Sequence, residues 1–266
     1  MQKLNIKDYF KNQFNKLKTF AQAHSFKLGI IDATDPHDIG NQIYIKRKVE
    51  DFNNVGWEAT VIKIDDVEKG IAQAKEEGCN GIIVQLPTRP EVEFNNTMIP
   101  AEMDCDGLRA ESLYDPATAR GIIDYLEDCD FCFKGARVLV IGRSEIVGRP
   151  VARMLTDKDA TVTLCHSKSD KNHVLDLLWR ADLVIIAVGV ASAFSRKQCP
   201  NAIVIDVGIN RTENGICGDF VEMEEYCSGD VWSTPVPGGV GLLTRLGLMK
   251  NCQDIVSRNQ SYKDLP

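Results

Sequence analysis

The stretch Gly142-Arg143-Ser144-Glu145-Ile146-Val147-Gly148-Arg149-Pro150 follows the apolar run Arg137–Ile141 and leads into a helical stretch through Met154. A strand, a glycine turn and a helix in that order make the phosphate end of a dinucleotide fold. Small residues let the main chain approach a pyrophosphate, and the helix N-terminus supplies N–H donors and positive dipole. Ser144 stands where the middle glycine is usual, so the candidate contacts are Gly142, Arg143, Ser144, Val147 and Gly148. The next strand closes at Cys165 and is followed by His166, Ser167 and Lys168 rather than by the acidic residue that holds a ribose 2′-hydroxyl. A hydroxyl and a cation there, with Arg143 on the glycine loop, suit a 2′-phosphate and point to NADP over NAD.

A second set lies upstream. Tyr44 and Lys48 sit four apart in a helical stretch and can face one site, although the spacing equally describes a tyrosine beside a basic, solvated stripe. The strand Gly81–Gln85 runs into Leu86-Pro87 and carries an amide to the carboxyl end of a buried strand, the edge where open α/β sheets bind ligands. Asp104-Cys105-Asp106-Gly107 offers two carboxylates before a glycine, as a ligand contact or as a plain turn. Thr234-Pro235-Val236-Pro237-Gly238-Gly239-Val240-Gly241 holds two prolines and three glycines, an unusual backbone path that allows close approach to a flat ligand.

The elements that must position these residues read as two alternating series. Helix-like Asn5–Ala23, a strand at Leu28–Ile31, a helix around Gln42–Phe52, a strand at Ala59–Ile64, a helix around Val67–Glu77 and the strand at Gly81 form the first. After the polar, turn-rich Arg109–Ala117, strands at Arg137–Ile141, Ala160–Cys165, Leu183–Ala187 and Ala202–Asp206 form the second, with a helix near Val174–Trp179. Near-continuous apolar strands between helices predict parallel sheets covered on both faces. The expected fold is α/β, two doubly wound lobes with a cleft between them, the second a Rossmann-type dinucleotide domain.

The 266 residues carry a net charge of −7 with scattered basic residues, against a nucleic-acid partner. No apolar run reaches the roughly 18 residues of a membrane span, and the opening lacks a signal-peptide block, so a cytoplasmic protein with no membrane association is expected. Nine cysteines, an odd number, favour reduced thiols. Cys129-Asp130-Phe131-Cys132 has no second pair at zinc spacing, and no metal is expected.

In order and spacing, Tyr44…Lys48, Val84-Gln85-Leu86-Pro87, Asp104-Cys105-Asp106-Gly107, Gly142–Pro150, Val204-Ile205-Asp206-Val207-Gly208 and Thr234–Gly241 resemble the methylenetetrahydrofolate dehydrogenase/methenyltetrahydrofolate cyclohydrolase family over nearly the whole chain. The resemblance implies a folate-binding lobe at 1–116 completed by a C-terminal helix at 247–266, and an NADP-binding domain at 117–246. It implies Lys48 as general acid/base, Gln85 as the group orienting it, Tyr44 as a ring stacking on the folate, and Asp106 as the carboxylate gripping the pterin edge. Pro237, Gly238 and Gly239 would border the folate and nicotinamide, and Ser167 the 2′-phosphate. Met103, Ala117, Ala119 and Leu242 depart from the family pattern, as does the approach from Ala33 to Tyr44. The implied partner is a small-molecule folate and the implied assembly a homodimer, in one-carbon metabolism and purine biosynthesis. A shikimate-dehydrogenase-like oxidoreductase and a catalytically silent binder are the alternatives.

Overall fold

The computed structural model describes residues 5–227 and 231–263, and the chain divides into two α/β units. One comprises residues 11–117 and the stretch from Arg245 onward; the other comprises 118–244 and the residues up to Phe10. The opening of helix α1 (Ile6–Ala21) thus groups with the second unit rather than with a lobe beginning at residue 1. The reason is aromatic: Tyr9 is buried edge-on against Tyr125, ring centroids 5.2 Å apart.

In the first unit, β1 (Lys27–Asp32), β2 (Glu58–Lys63) and β3 (Gly81–Val84) form a parallel sheet in the order β2-β1-β3. Both faces of β1 are covered, which is why its sequence is apolar without alternation. On one face α3 (Val67–Glu76) buries Val67, Ile71 and Ala74 against Ile31, Ile62, Ile82 and Val84. Elsewhere Phe26 packs in a tilted cluster with Phe52 and Trp57, contributed by α2 (Ile39–Val55) and the turn after it. Each such side chain removed from water contributes about 1.5–3 kcal/mol before entropy is charged against it. The start of α2 is set by Asp38, whose carboxylate accepts the Asn41 N–H, and its end by Gly56 at φ +101°, a conformation that favours glycine.

In the second unit, β4 (Arg137–Ile141), β5 (Thr161–Cys165), β6 (Leu183–Ile186) and β8 (Ile203–Asp206) form a parallel sheet in the order β5-β4-β6-β8. The connections leave both sides of β4, so the carboxyl ends of β4 and β6 flank a reversal of winding, where such sheets bind ligands. Helices α5 (Gly148–Asp157) and α6 (Lys171–Arg180) accompany the sheet. Two small pairs, β7 (Phe194–Ser195) with β11 (Phe220–Val221) and β9 (Asn210–Thr212) with β10 (Gly215–Cys217), sit in the connections around β8. Near them the wholly buried Arg196 forks onto Glu222 and donates to the carbonyls of Cys199 and Ala202.

Two further helices complete the chain. α4 (Ala117–Asp128) has no counterpart in the expectations from sequence. It approaches the first turn of α7 (Val240–Lys263) so closely that a Cβ on Gly121 would lie 2.1 Å from the Leu243 carbonyl oxygen. α7 begins in the second unit and continues from Arg245 as part of the first. Among the described residues no helix is long and apolar enough to cross a membrane.

Candidate active site

Lys48 is held on the buried side of α2, and its Nζ donates to Oε1 of Gln85 at 3.1 Å. Gln85 stands at the carboxyl end of β3, buried like the lysine. Its Nε2 donates to the Leu86 carbonyl at 3.0 Å and to Oδ1 of Asn41 at 3.2 Å. Tyr44, one turn before Lys48, lies half-buried with its ring centroid 5.8 Å from the ammonium. Burial pushes the Lys48 amine below the ordinary lysine range, and the carboxylate of Asp106 opposes this without cancelling it. Burial raises the Asp106 carboxyl while Lys48 pulls it back. An amine so placed is available in its neutral form nearer neutral pH than a solvated lysine. The structure therefore brings Tyr44, Lys48, Gln85 and Asp106 into one neighbourhood of the first unit.

The Asp-Cys-Asp-Gly segment resolves into two roles. Asp104 is fully buried and accepts the main-chain N–H of Gly107 at 3.0 Å and of Arg109 at 2.9 Å. Gly107 sits at φ +66°, where an added Cβ would lie 2.3 Å from the Asp115 carbonyl oxygen, so the turn requires glycine there. From α7, the buried Asn251 donates through Nδ2 to the carbonyls of Cys105 and Asp115, both at 2.8 Å, and ties the two arms of the loop together. Met103, which departs from the family pattern, packs against the α3-side core.

Most of the residues expected from the sequence to meet a nucleotide collect at one edge of the second unit. Ile141 and Cys165 are register partners on β4 and β5. Arg143 and Ser167, each two residues further on, are therefore exposed at the same end of neighbouring strands. Gly142 lies at φ +118°, where a Cβ would come 2.1 Å from the Ala187 carbonyl oxygen, and a Cβ on Gly148 would come 1.9 Å from the oxygen of Gly142. Close chain packing demands both glycines. Ser144 Oγ accepts the N–H groups of Val147 and Gly148 at 3.2 and 3.4 Å, at the N-terminus of α5. The loop leaving β6 is pinned by Asp219, which accepts the N–H groups of Val188, Gly189 and Val190. Pro237, Gly238 and Gly239 form the approach to α7 in this unit; Gly238 has φ +92°, and a Cβ on Gly239 would meet the Pro235 carbonyl oxygen at 2.2 Å.

Asn41, Asn251 and Asp219 escaped sequence reasoning. Asn41 had a signal, since it lies three residues before Tyr44 and seven before Lys48 on the same helical face. Asn251 had none, because its partners are main-chain carbonyls 146 and 136 residues away. All nine cysteines are free thiols, Cys129 buried and Cys132 exposed.

The comparisons with known proteins agree with one another. A model described as the tetrahydrofolate dehydrogenase/cyclohydrolase NAD(P)-binding domain matches residues 116–260. The protein named Bifunctional protein FolD from Ligilactobacillus salivarius is 34% identical over 242 residues, which cover 84% of each chain. The solved bifunctional 5,10-methylenetetrahydrofolate dehydrogenase/cyclohydrolase of Thermoplasma acidophilum is similar with a TM-score of 0.84 at 26% identity, covering 96% of this chain and 97% of that one. The dehydrogenase-cyclohydrolase of Trypanosoma brucei, complexed with NADP cofactor and inhibitor, matches with a TM-score of 0.80 at 25% identity over 96% and 95% of the two chains.

Proposed function

The chain belongs to the tetrahydrofolate dehydrogenase/cyclohydrolase family, and on that premise we propose that it oxidises 5,10-methylenetetrahydrofolate to the 5,10-methenyl cation with NADP and hydrolyses that cation to 10-formyltetrahydrofolate. The observation that carries this reading is the bond from the buried Lys48 ammonium to the amide of Gln85, beside Tyr44 and Asp106. With the family established, the shikimate-dehydrogenase-like alternative falls away.

Lys48 is the acid/base. Burial leaves more of the amine neutral than in a solvated lysine, so Nζ can accept a proton as water adds to the cationic carbon, and the ammonium then returns a proton as the ring opens. Gln85 fixes the position of that nitrogen. The Tyr44 ring stacks on the folate, and the Asp106 carboxylate accepts two parallel N–H bonds from the aminopyrimidinone edge. By the family resemblance, the main chain at Pro237, Gly238 and Gly239 would allow close approach of a flat ligand.

NADP, when bound, supplies the hydride acceptor. The residues present fit it: Gly142, Arg143, Ser144, Val147 and Gly148 would hold the phosphates at the α5 N-terminus, and Arg143 with Ser167 would take the 2′-phosphate. A cytoplasmic location, a homodimer and a contribution to purine biosynthesis belong to the same proposal and rest on the family resemblance. A spectrophotometric assay tests the whole: methenyl absorbance should rise with NADP, more weakly with NAD, and then decay. A protein that binds folate and changes neither signal is the silent binder instead.

A further inference from the structure

The side chains of Asp38, Asn41, Gln85 and Lys48 form one hydrogen-bonded chain with a single direction. Lys48 Nζ donates to Gln85 Oε1 at 3.1 Å, Gln85 Nε2 donates to Asn41 Oδ1 at 3.2 Å, and Asn41 Nδ2 donates to Asp38 Oδ2 at 3.0 Å. Both ends of this direction are chemically fixed. A carboxylate and a main-chain carbonyl can only accept, so Asp38 takes the NH₂ end of Asn41, and the Leu86 carbonyl, 3.0 Å from Gln85 Nε2, takes the NH₂ end of Gln85. An amide turned by half a revolution has nearly the same shape, and here the turned form would set acceptor against acceptor at both places. We propose that Asn41 is a positioning residue for the acid–base step: by engaging Gln85 Nε2 it keeps the amide oxygen toward Lys48.

The orientation matters most when Lys48 is neutral. An amine facing an oxygen donates one N–H to it and must turn its lone pair elsewhere, toward the substrate side. An amine facing an NH₂ group accepts from it, and its lone pair is occupied. Asn41 thus leaves the base exposed by denying Gln85 the donor orientation. The charged group bearing on Lys48 from outside α2 is Asp106; on α2 itself Tyr44 is adjacent, and Asp51 is paired with Arg245 from α7 at 2.7 Å.

This inference deepens the reading of Lys48 as acid/base and rests on it. The test therefore compares three variants of the full chain, Asn41→Leu, Asn41→Asp and Lys48→Met, by the rate of methenyl hydrolysis across pH. Asn41→Leu removes one of the two acceptors that hold Gln85 Nε2 and leaves the Leu86 carbonyl alone to oppose a turn of the amide. The rate should fall by roughly tenfold, and the limb of the pH profile that reports Lys48 should move to lower pH, because a facing donor favours the neutral amine. Asn41→Asp keeps an acceptor for Gln85 Nε2 and adds negative charge, so the rate should be largely retained and the limb should move to higher pH, while the new carboxylate, set against that of Asp38, should lower the melting temperature. The NADP affinity and the KM for the methenyl substrate should stay close to wild type in both, and the melting temperature should do so in Asn41→Leu. An unshifted profile in Asn41→Leu, or an equal loss in both Asn41 variants, overturns the role of Asn41. Full hydrolysis by Lys48→Met overturns the acid/base reading beneath it.

Discussion

Asp104 and Asp106 are separated by one residue and divide the work of their loop. The main-chain N–H groups of Gly107 and Arg109 both go to the buried carboxylate of Asp104, while the carboxylate of Asp106 lies in the field of Lys48. Asp106→Asn should therefore leave the melting temperature nearly unchanged and weaken folate binding and both activities, at about 1–3 kcal/mol of affinity, because one acceptor oxygen becomes a donor facing a donor. Asp104→Ala should do the opposite to the balance and cost roughly 1–3 kcal/mol of stability, because the part-buried Arg109 N–H loses its acceptor and the Gly107 N–H is left with the Asp104 main-chain carbonyl alone. Titration calorimetry with a folate analogue and thermal melts separate the two; an Asp106→Asn protein that melts early yet binds normally would show that its carboxylate belongs to the turn.

Lys48→Met should reduce methenyl hydrolysis by about 10²- to 10⁴-fold, the range of a positioned acid/base, with NADP affinity unchanged, since the residues proposed to hold the nucleotide are built on other strands. A stability signature accompanies it. The folded-state pKa of Lys48 is lowered, so between it and the ordinary value of about 10.4 the unfolded chain binds more protons and stability rises with pH. Urea unfolding at neutral and alkaline pH should reveal that slope in the wild type and a smaller one in the variant.

Arg143→Ala should raise the KM for NADP by about tenfold or more and leave that for NAD almost unaffected, as expected for loss of a charge-assisted bond worth about 1.5–3 kcal/mol. Steady-state kinetics with both nucleotides measure it. Equal effects on the two would mean that the end of β5 does not select a 2′-phosphate.

The Arg196–Glu222 pair predicts an acid weakness in the second unit. Burial works to raise the Glu222 carboxyl, but the hydrogen bonds from Arg196 outweigh it and hold its pKa at about 2. Its contribution is thus present above the ordinary carboxylate range and lost as pH falls toward that value. Glu222→Gln should cost about 3 kcal/mol, the low end for breaking a buried pair, because Arg196 is fully buried while Glu222 is 34% exposed. Melting curves from pH 5 down to 2 should converge with those of the variant.

Both sheets were legible in the sequence because strands covered on two faces must be apolar throughout; β4 matches its expected limits residue for residue, and β1 extends its by one residue at each end. Helix α4 was not legible. It opens with Ala117-Thr118-Ala119 and carries Gly121, directly after the turn-rich Arg109–Ala117, and what makes it a helix is burial of Ile122, Ile123 and Leu126 together with the close approach that Gly121 permits. At the site, helical spacing exposed the Tyr44–Lys48 face, but no local pattern distinguishes Asp104 from Asp106. Their roles follow from where the chain returns at Asp115 and from Asn251, both remote in sequence.

The two bonds from Asn251 also impose an order of manufacture. The loop bearing Asp106 is synthesised early, but the side chain that fastens it arrives 136 residues after Asp115, of the order of ten seconds later at ordinary rates of translation. In that interval the four strands of the second sheet emerge complete. The unit that carries Asp106 is thus fastened only after the second sheet has been made, and a chain stopped before α7 would carry Lys48 and Gln85 beside an unfastened Asp106.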